Sequence, residues 1–209
     1  MVRGGAQLRP VPYAGFVLLL ACTARLDGQR RAAAGVDTYD PIFRKYTKRL
    51  FGPAFDWRVF KAQGMAESGL DMGARSRAGA RGIMQLMPST FEAIQSQAPD
   101  LVSIDDPEWN IVAGLRHDRA LWRLWPEAPT LLDRRRFMFA GYNAGSVTIK
   151  RAQRVARRHG LDPSLWASIE QVASRVWRWR QRQTLHYLGK IEAILEQLDE
   201  HGRRADRSR

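Results

Sequence analysis

The sequence predicts an all-α fold of about seven helices. Three observations point that way. Apolar residues recur at spacings of three and four, as in Tyr187, Ile191, Ile194 and Leu198. Asp-Pro pairs, able to cap and open helices, stand at 106–107 and 162–163. Runs that alternate apolar and polar residues, as strands do, are few.

The chain opens with "MVRGGAQLRPVPYAGFVLLLAC". Arg3 and Arg9 make a positive leader, and Val11 to Ala21 is an apolar stretch of signal-peptide length, short for a bilayer span. Leu19-Leu20-Ala21-Cys22 resembles a bacterial lipobox, in which the cysteine is lipidated and becomes the mature N-terminus. A cleaved signal ending near Ala24, or a retained apolar segment, are the competing readings. Residues 1–22 are thus expected to be a signal peptide with lipobox, 23–40 a flexible tether, 41–200 the folded domain and 201–209, "HGRRADRSR", a basic tail.

Within the domain, Trp57 to Ser68 reads as a helix that Gly69 stops. Pro88 opens "PSTFEAIQS". After Asp106, Ile111, Leu115 and Trp122 share a face. "RRRFMFAGYNAG" turns apolar on all sides at Phe137 to Ala140, which predicts burial. "VTIKRAQRVARRHG" carries a stripe of Ala152, Val155 and Ala156 and stops at Gly160. Asp162-Pro163 is expected to cap the next helix, and the last helix is expected from about Thr184.

Bulk composition narrows the partners. The 209 residues carry 34 Lys and Arg against 21 Asp and Glu, a formal net charge of +13. That balance favours polyanions: nucleic acid, anionic lipid or an acidic wall polymer. One cysteine excludes an internal disulfide, and the four histidines (117, 159, 186, 201) are scattered, so neither a metal site nor a cofactor is expected. Trp177 and Trp179, interleaved with Arg175, Arg178, Arg180 and Arg182, look like the exposed pair among tryptophans that otherwise read as core. No nucleic-acid reading motif accompanies them.

Glu67 is the candidate acid. Phe60, Gly64 and Glu67 share one helix face, so the carboxyl sits beside an aromatic ring and a backbone gap. In the last helical turn the dipole disfavours a carboxylate, and partial burial acts the same way. Both raise its pKa, which suits a general acid near neutral pH. A solvent-facing glutamate before a helix stop is the plain alternative. Between Glu67 and Glu92 only Asp71 offers a further carboxyl, and it reads as a loop residue. The glycines at 69, 73, 79 and 82 then allow tight turns, and "GIMQLMP" sets Gln85 among methionines, as a sugar-binding wall or as core.

These motifs resemble a known family. "ES" at 67–68, Ser76 in "ARSRAGARG", "GIMQLMP" at 82–88 and "AGYNAG" at 140–145 are similar to the catalytic domain of lytic transglycosylases with the goose-lysozyme-like, soluble-transglycosylase fold. "DPEWNIVAGLRHDRALW" and "GLDPSLWASIEQV" with "QTLHYLGKI" extend the likeness over residues 41–195, most like the membrane-bound F-type branch. The resemblance implies a lysozyme-like helical domain that cleaves peptidoglycan between N-acetylmuramic acid and N-acetylglucosamine. It implies Glu67 as acid and base, with the substrate's own 6-hydroxyl as nucleophile, so no second carboxylate is needed. It also implies Ser76, Gln85, Met87, Tyr142 and Asn143 around the sugar cleft, Tyr187 near the glutamate, and a monomer. Cys22 would be the lipid anchor, and Thr23 after it points to the outer membrane by likeness to bacterial lipoproteins.

Three departures stand out. The usual E-T-R-x-Y closing motif is here Gln183, Thr184, Leu185, His186, Tyr187, which removes an ion pair and leaves Tyr187 the least secure placement. Gly141 replaces a common alanine and is expected to loosen its helix, and "YNAG" continues as Ser146-Val147 without Pro-Gly. Hydrolysis by a muramidase and a binding protein that no longer cuts are the other readings.

Overall fold

The computed structural model describes residues 37–207. The expected leader, Cys22 and most of the tether lie outside the described residues. Eight α-helices follow in order: α1 (Asp40–Phe51), α2 (Arg58–Ser68), α3 (Pro88–Gln95), α4 (Pro107–Trp122), α5 (Leu131–Ala144), α6 (Ser146–Arg158), α7 (Trp166–Val172) and α8 (Gln181–Arg207). A 3-10 turn, Ala173–Arg175, joins the last two. Among the described residues there is no strand, only isolated bridges from Arg81 to Arg75 and Leu86. The all-α expectation holds. The eighth helix is α1, which sequence reading did not separate.

α2 runs through the middle. Val59, Phe60, Ala62 and Ala66 are buried, and Gly69 in the left-handed region (φ 69) ends the helix where expected. Gly64 permits close approach on that face. A Cβ there would stand 3.0 Å from Leu70 and 3.3 Å from Phe43 and Ile83. Lys61 is buried in α2 and pairs with Asp40 of α1 at 2.6 Å and with Asp37 at 2.9 Å, so its charge is compensated. Phe51, Phe55, Phe60 and Trp122 pack as an aromatic cluster around the α1–α2 junction.

Asp106 caps α4 as expected, its carboxyl accepting from Trp109 N at 3.0 Å. Asp162 does not cap a helix. Its Oδ1 accepts from Ser164 N and Oγ in a local turn, and α7 begins only at Trp166. The cap comes from across the fold: Trp166 N donates to Asp133 Oδ1 at 2.9 Å. Asp133 also lies in the first turn of α5, where its own N–H donates to Thr130 Oγ1 at 3.0 Å.

Gly141 does not loosen α5. A Cβ there would lie 3.0 Å from the Trp125 ring and 3.1 Å from Leu121, so the glycine lets α5 close onto Trp125. α8 starts three residues earlier than expected, and the helix continues through the basic segment to Arg207, so the expected boundary at 200/201 falls inside it. Of the two tryptophans read as exposed, Trp177 is, while Trp179 is buried with Nε1 donating to Thr184 Oγ1 at 3.0 Å.

The loop between α2 and α3 is held by one side chain of α4. Asn110 accepts from Met84 N at 2.8 Å and donates to Arg81 O at 3.0 Å and Ile104 O at 2.9 Å. Gly82 (φ 74) passes so close that a Cβ would lie 2.5 Å from the Asn110 amide. Asn110→Ala strips a buried N–H of its partner and is expected to lower stability by about 3 kcal/mol, read from the urea midpoint.

Candidate active site

Glu67 sits in the last turn of α2 and faces α8. Tyr187 Oη donates to Glu67 Oε1 at 2.6 Å. One turn along α8, Lys190 Nζ donates to Ala66 O at 2.5 Å. The Glu67 residue keeps an intermediate exposure, yet protein atoms surround its carboxyl. Burial pushes its pKa up to about 7, against the opposing pull of the Tyr187 hydrogen bond and the Lys190 charge. A carboxyl so placed can both give and take a proton near neutral pH. Tyr187 is held well above its usual range, first by burial and then by the Glu67 charge, so it is a donor only.

The loop after α2 forms the neighbouring wall. Ser68 Oγ donates to Ile83 O at 2.9 Å, tying the helix end to the loop's return. Ser76 closes a tight turn: its Oγ accepts from Ala80 N and its own N–H donates to Ala80 O, both at 3.0 Å. Gln85, at φ 45, donates from Nε2 to Gly82 O at 2.9 Å and Ala74 O at 3.3 Å. Tyr142 of α5 reaches the same loop, its Oη donating to Met84 O at 2.7 Å. Met87 is half-buried and precedes α3 in an extended conformation. Asn143 accepts from Thr184 Oγ1 at 3.0 Å, and its Nδ2 is a buried donor with no partner among the described residues.

Of the residues singled out in the sequence, then, Tyr187 meets Glu67 directly. Gln85 and Tyr142 converge on the 82–87 loop. Ser76 shapes a turn farther along it, and Asn143 links α5 to α8. Thr184 takes part in the altered closing stretch by bridging Trp179 and Asn143, so that segment docks by hydroxyl hydrogen bonds. Asp71 is exposed and accepts from Gly73 N at 2.8 Å within the loop.

Sequence reading missed a second carboxyl. Asp118 of α4 is fully buried, and its Oδ1 accepts from Gln63 Nε2 at 3.4 Å. Gln63 precedes Glu67 by one turn of α2. Burial, then the Glu67 charge, hold the Asp118 pKa well above the carboxylate range. Asp118 Oδ2 and Gln63 Oε1 both lack a donor, a pattern that a protonated acid relieves and an ionised one does not. The signal was present: Asp118 falls on the Ile111–Leu115–Trp122 face, at i+3 from Leu115. His117 packs edge-on to Tyr142 with centroids 5.1 Å apart, and burial lowers its pKa to about 4. The neighbourhood thus offers one carboxyl poised to titrate near neutrality, beside a neutral acid and neutral rings. Among the described residues, no cluster of three or more His, Cys, Asp or Glu could hold a metal ion.

Comparison with known proteins follows the same residues. The model of the transglycosylase SLT domain family matches residues 47–163. Membrane-bound lytic murein transglycosylase F of Ectopseudomonas mendocina is 31% identical over 164 residues, covering 78% of this chain and 32% of that protein. Its namesake in Maricaulis maris is 34% identical over 148 residues, covering 67% and 31%. The chain therefore spans about a third of these relatives' length. The crystal structure of the 70 kDa soluble lytic transglycosylase of Escherichia coli superposes with a TM-score of 0.57 at 22% identity, over 76% of this chain and 24% of that one, and shares the fold.

Two outcomes are expected at this site. Tyr187→Phe removes a donor that favours the Glu67 carboxylate, so the Glu67 pKa rises further, by about one unit, in a carboxyl-carbon NMR titration. Asp118 holds a proton that the unfolded chain releases. Its stability contribution is therefore complete below the ordinary value of 3.8 and is lost as pH rises above it. In denaturant titrations from about pH 4 to about pH 7, wild type should lose stability relative to Asp118→Asn, while the Glu67 titration of the variant stays in place.

Proposed function

This chain belongs to the transglycosylase SLT domain family, and we propose that it is a peptidoglycan lytic transglycosylase. The observation that carries the reading is Glu67: a carboxyl raised to about 7, hydrogen-bonded by Tyr187, whose carboxyl neighbour Asp118 is pushed by burial toward the neutral form. A glycosidase that uses two carboxylates needs both in working protonation states. Here burial pushes the neighbouring acid, Asp118, toward its neutral form, and its carboxyl is committed to Gln63. Chemistry with one titrating group fits this arrangement.

In the first step Glu67 gives its proton to the glycosidic oxygen between N-acetylmuramic acid and N-acetylglucosamine, and the bond from that oxygen to the muramic C1 breaks. The substrate's N-acetyl group supports the cationic centre. The Glu67 carboxylate is then stabilised by the Tyr187 hydroxyl. In the second step it takes the proton from the muramic 6-hydroxyl as O6 bonds to C1. The product is a 1,6-anhydro ring, Glu67 is protonated again, and no water is consumed. An internal nucleophile of this kind acts at an effective concentration on the order of 10⁵ M or more.

Gln85, Tyr142 and Ser76 are assigned to shaping the cleft, because their polar groups are spent on the loop itself. Met87 and Asn143 are assigned to contact with the glycan, the latter through its buried Nδ2. The protein acts as a monomer on glycan strands at the periplasmic face of the outer membrane, anchored by a lipid on Cys22. The lipobox-like leader supports that placement, as do the relatives named membrane-bound.

The test is digestion of purified sacculi by wild type and Glu67→Gln, with muropeptide masses as readout. Products one water lighter than hydrolytic ones, absent with the variant, are expected. Products at the hydrolytic mass would make the protein a muramidase. A variant that cuts as well as wild type would sink the mechanism. Since the raised pKa of Glu67 works against stability above the ordinary 4.5, Glu67→Gln should also unfold at a higher temperature than wild type at about pH 8.

A further inference from the structure

α6 has two opposite faces. Ile149, Ala152, Val155 and Ala156 are buried against the core. The other side carries Val147, Lys150, Arg151, Arg154, Arg157 and Arg158, spaced i, i+3, i+4, i+7, i+10 and i+11, so they form one outward stripe. It extends for about 16 Å along the helix. No carboxylate stands within ion-pair distance of any of its five cations among the described residues.

The stripe runs into the segment after α7. Arg151 Nη1 donates to Trp177 O at 2.9 Å, and Arg175 bonds the His159 ring at 3.1 Å. Trp177 is the most exposed aromatic side chain described there, with 66% of its surface accessible. Its neighbour Arg178 adopts φ 57, a left-handed conformation that side chains rarely take. That turn leaves Trp177 outside while Trp179 is buried. The Arg178 guanidinium lies 4.3 Å from the Trp177 ring centroid, and that of Arg151 lies 5.8 Å away.

We propose that this face, the α6 stripe with Trp177, docks on an anionic lipid bilayer. The stripe's own positions offer cations and an exposed valine, and none of them is a carboxylate or an amide. Saccharide sites combine donors with acceptors, and the stripe's side chains supply donors alone. The guanidinium over the Trp177 ring also occupies π-surface that a sugar would stack on. A tryptophan among arginines beside an exposed valine suits the headgroup level of a bilayer, where apolar edges sink and cations meet phosphates. This inference does not depend on the reaction assigned to the cleft.

The test is co-sedimentation of the full chain, carrying Cys22→Ala in every sample so that no lipid anchor contributes, with phosphatidylcholine vesicles, with and without phosphatidylglycerol. Lys150→Glu/Arg154→Glu/Arg157→Glu should weaken binding to the anionic vesicles by about tenfold or more and leave the neutral ones unchanged. A control reverses three exposed cations elsewhere, Lys48→Glu/Arg49→Glu/Arg123→Glu, and makes the same change in net charge. It should retain most of the binding. With the stripe intact, bromolipids in the anionic vesicles should quench tryptophan emission, and Trp177→Phe should remove most of that quenching. Equal losses from the two triple variants would overturn the proposal, since overall charge would then explain the binding. So would a stripe variant that binds vesicles normally but no longer sediments with sacculi, because the face would then serve the wall polymer.

Discussion

The structure is organised around the desolvation of one carboxyl. Glu67 ends α2, which packs against α8 and α1 and meets α4 through Gln63 and Asp118. The helix that carries the acid is therefore also the helix most fully enclosed. The Tyr187 hydroxyl and the Lys190 ammonium oppose the effect of burial without cancelling it. Without Tyr187 the anion would lack a partner, and with a second charged acid nearby it would be harder to form. Asp118 avoids that repulsion by staying protonated against Gln63.

Much of the polar equipment near this carboxyl faces the protein rather than solvent. Asn110 of α4, Tyr142 of α5 and the loop's own Gln85 all bond to backbone groups of the 74–87 loop. Such a loop has few internal ladder bonds, as its isolated bridges show. Side chains supply the missing partners, which fixes the loop beside Glu67 without help from any ligand. Gly82 and Gly114 make room for this. At Gly114 a Cβ would lie 2.7 Å from Met84.

Local signals carried the sequence reading a long way. The stop at Gly69, the Asp106 cap, the burial of Phe137 to Ala140 and the α8 stripe are set by neighbours in the chain, and they are found as expected. Tyr187 is different: only the family likeness put it near Glu67, because 120 residues separate them. Competing partners, some local and one from another segment, explain the misses. Asp162 had a nearer donor in Ser164, Trp179 found Thr184 beneath the surface, and Gly141 answers to the Trp125 ring of another segment. Asp118 was legible as a carboxyl on a buried stripe, but its partner on α2 was not.

Asp133 has a consequence for how the chain comes together. One carboxylate sits in the opening turn of α5 and also receives the first N–H of α7, 33 residues later. α7 has seven residues, too few to persist as an isolated helix in water. Its persistence therefore depends on α5 and the rest of the fold around it. The two helices are coupled in stability: whatever frays the opening turn of α5 also removes the partner of the first N–H of α7.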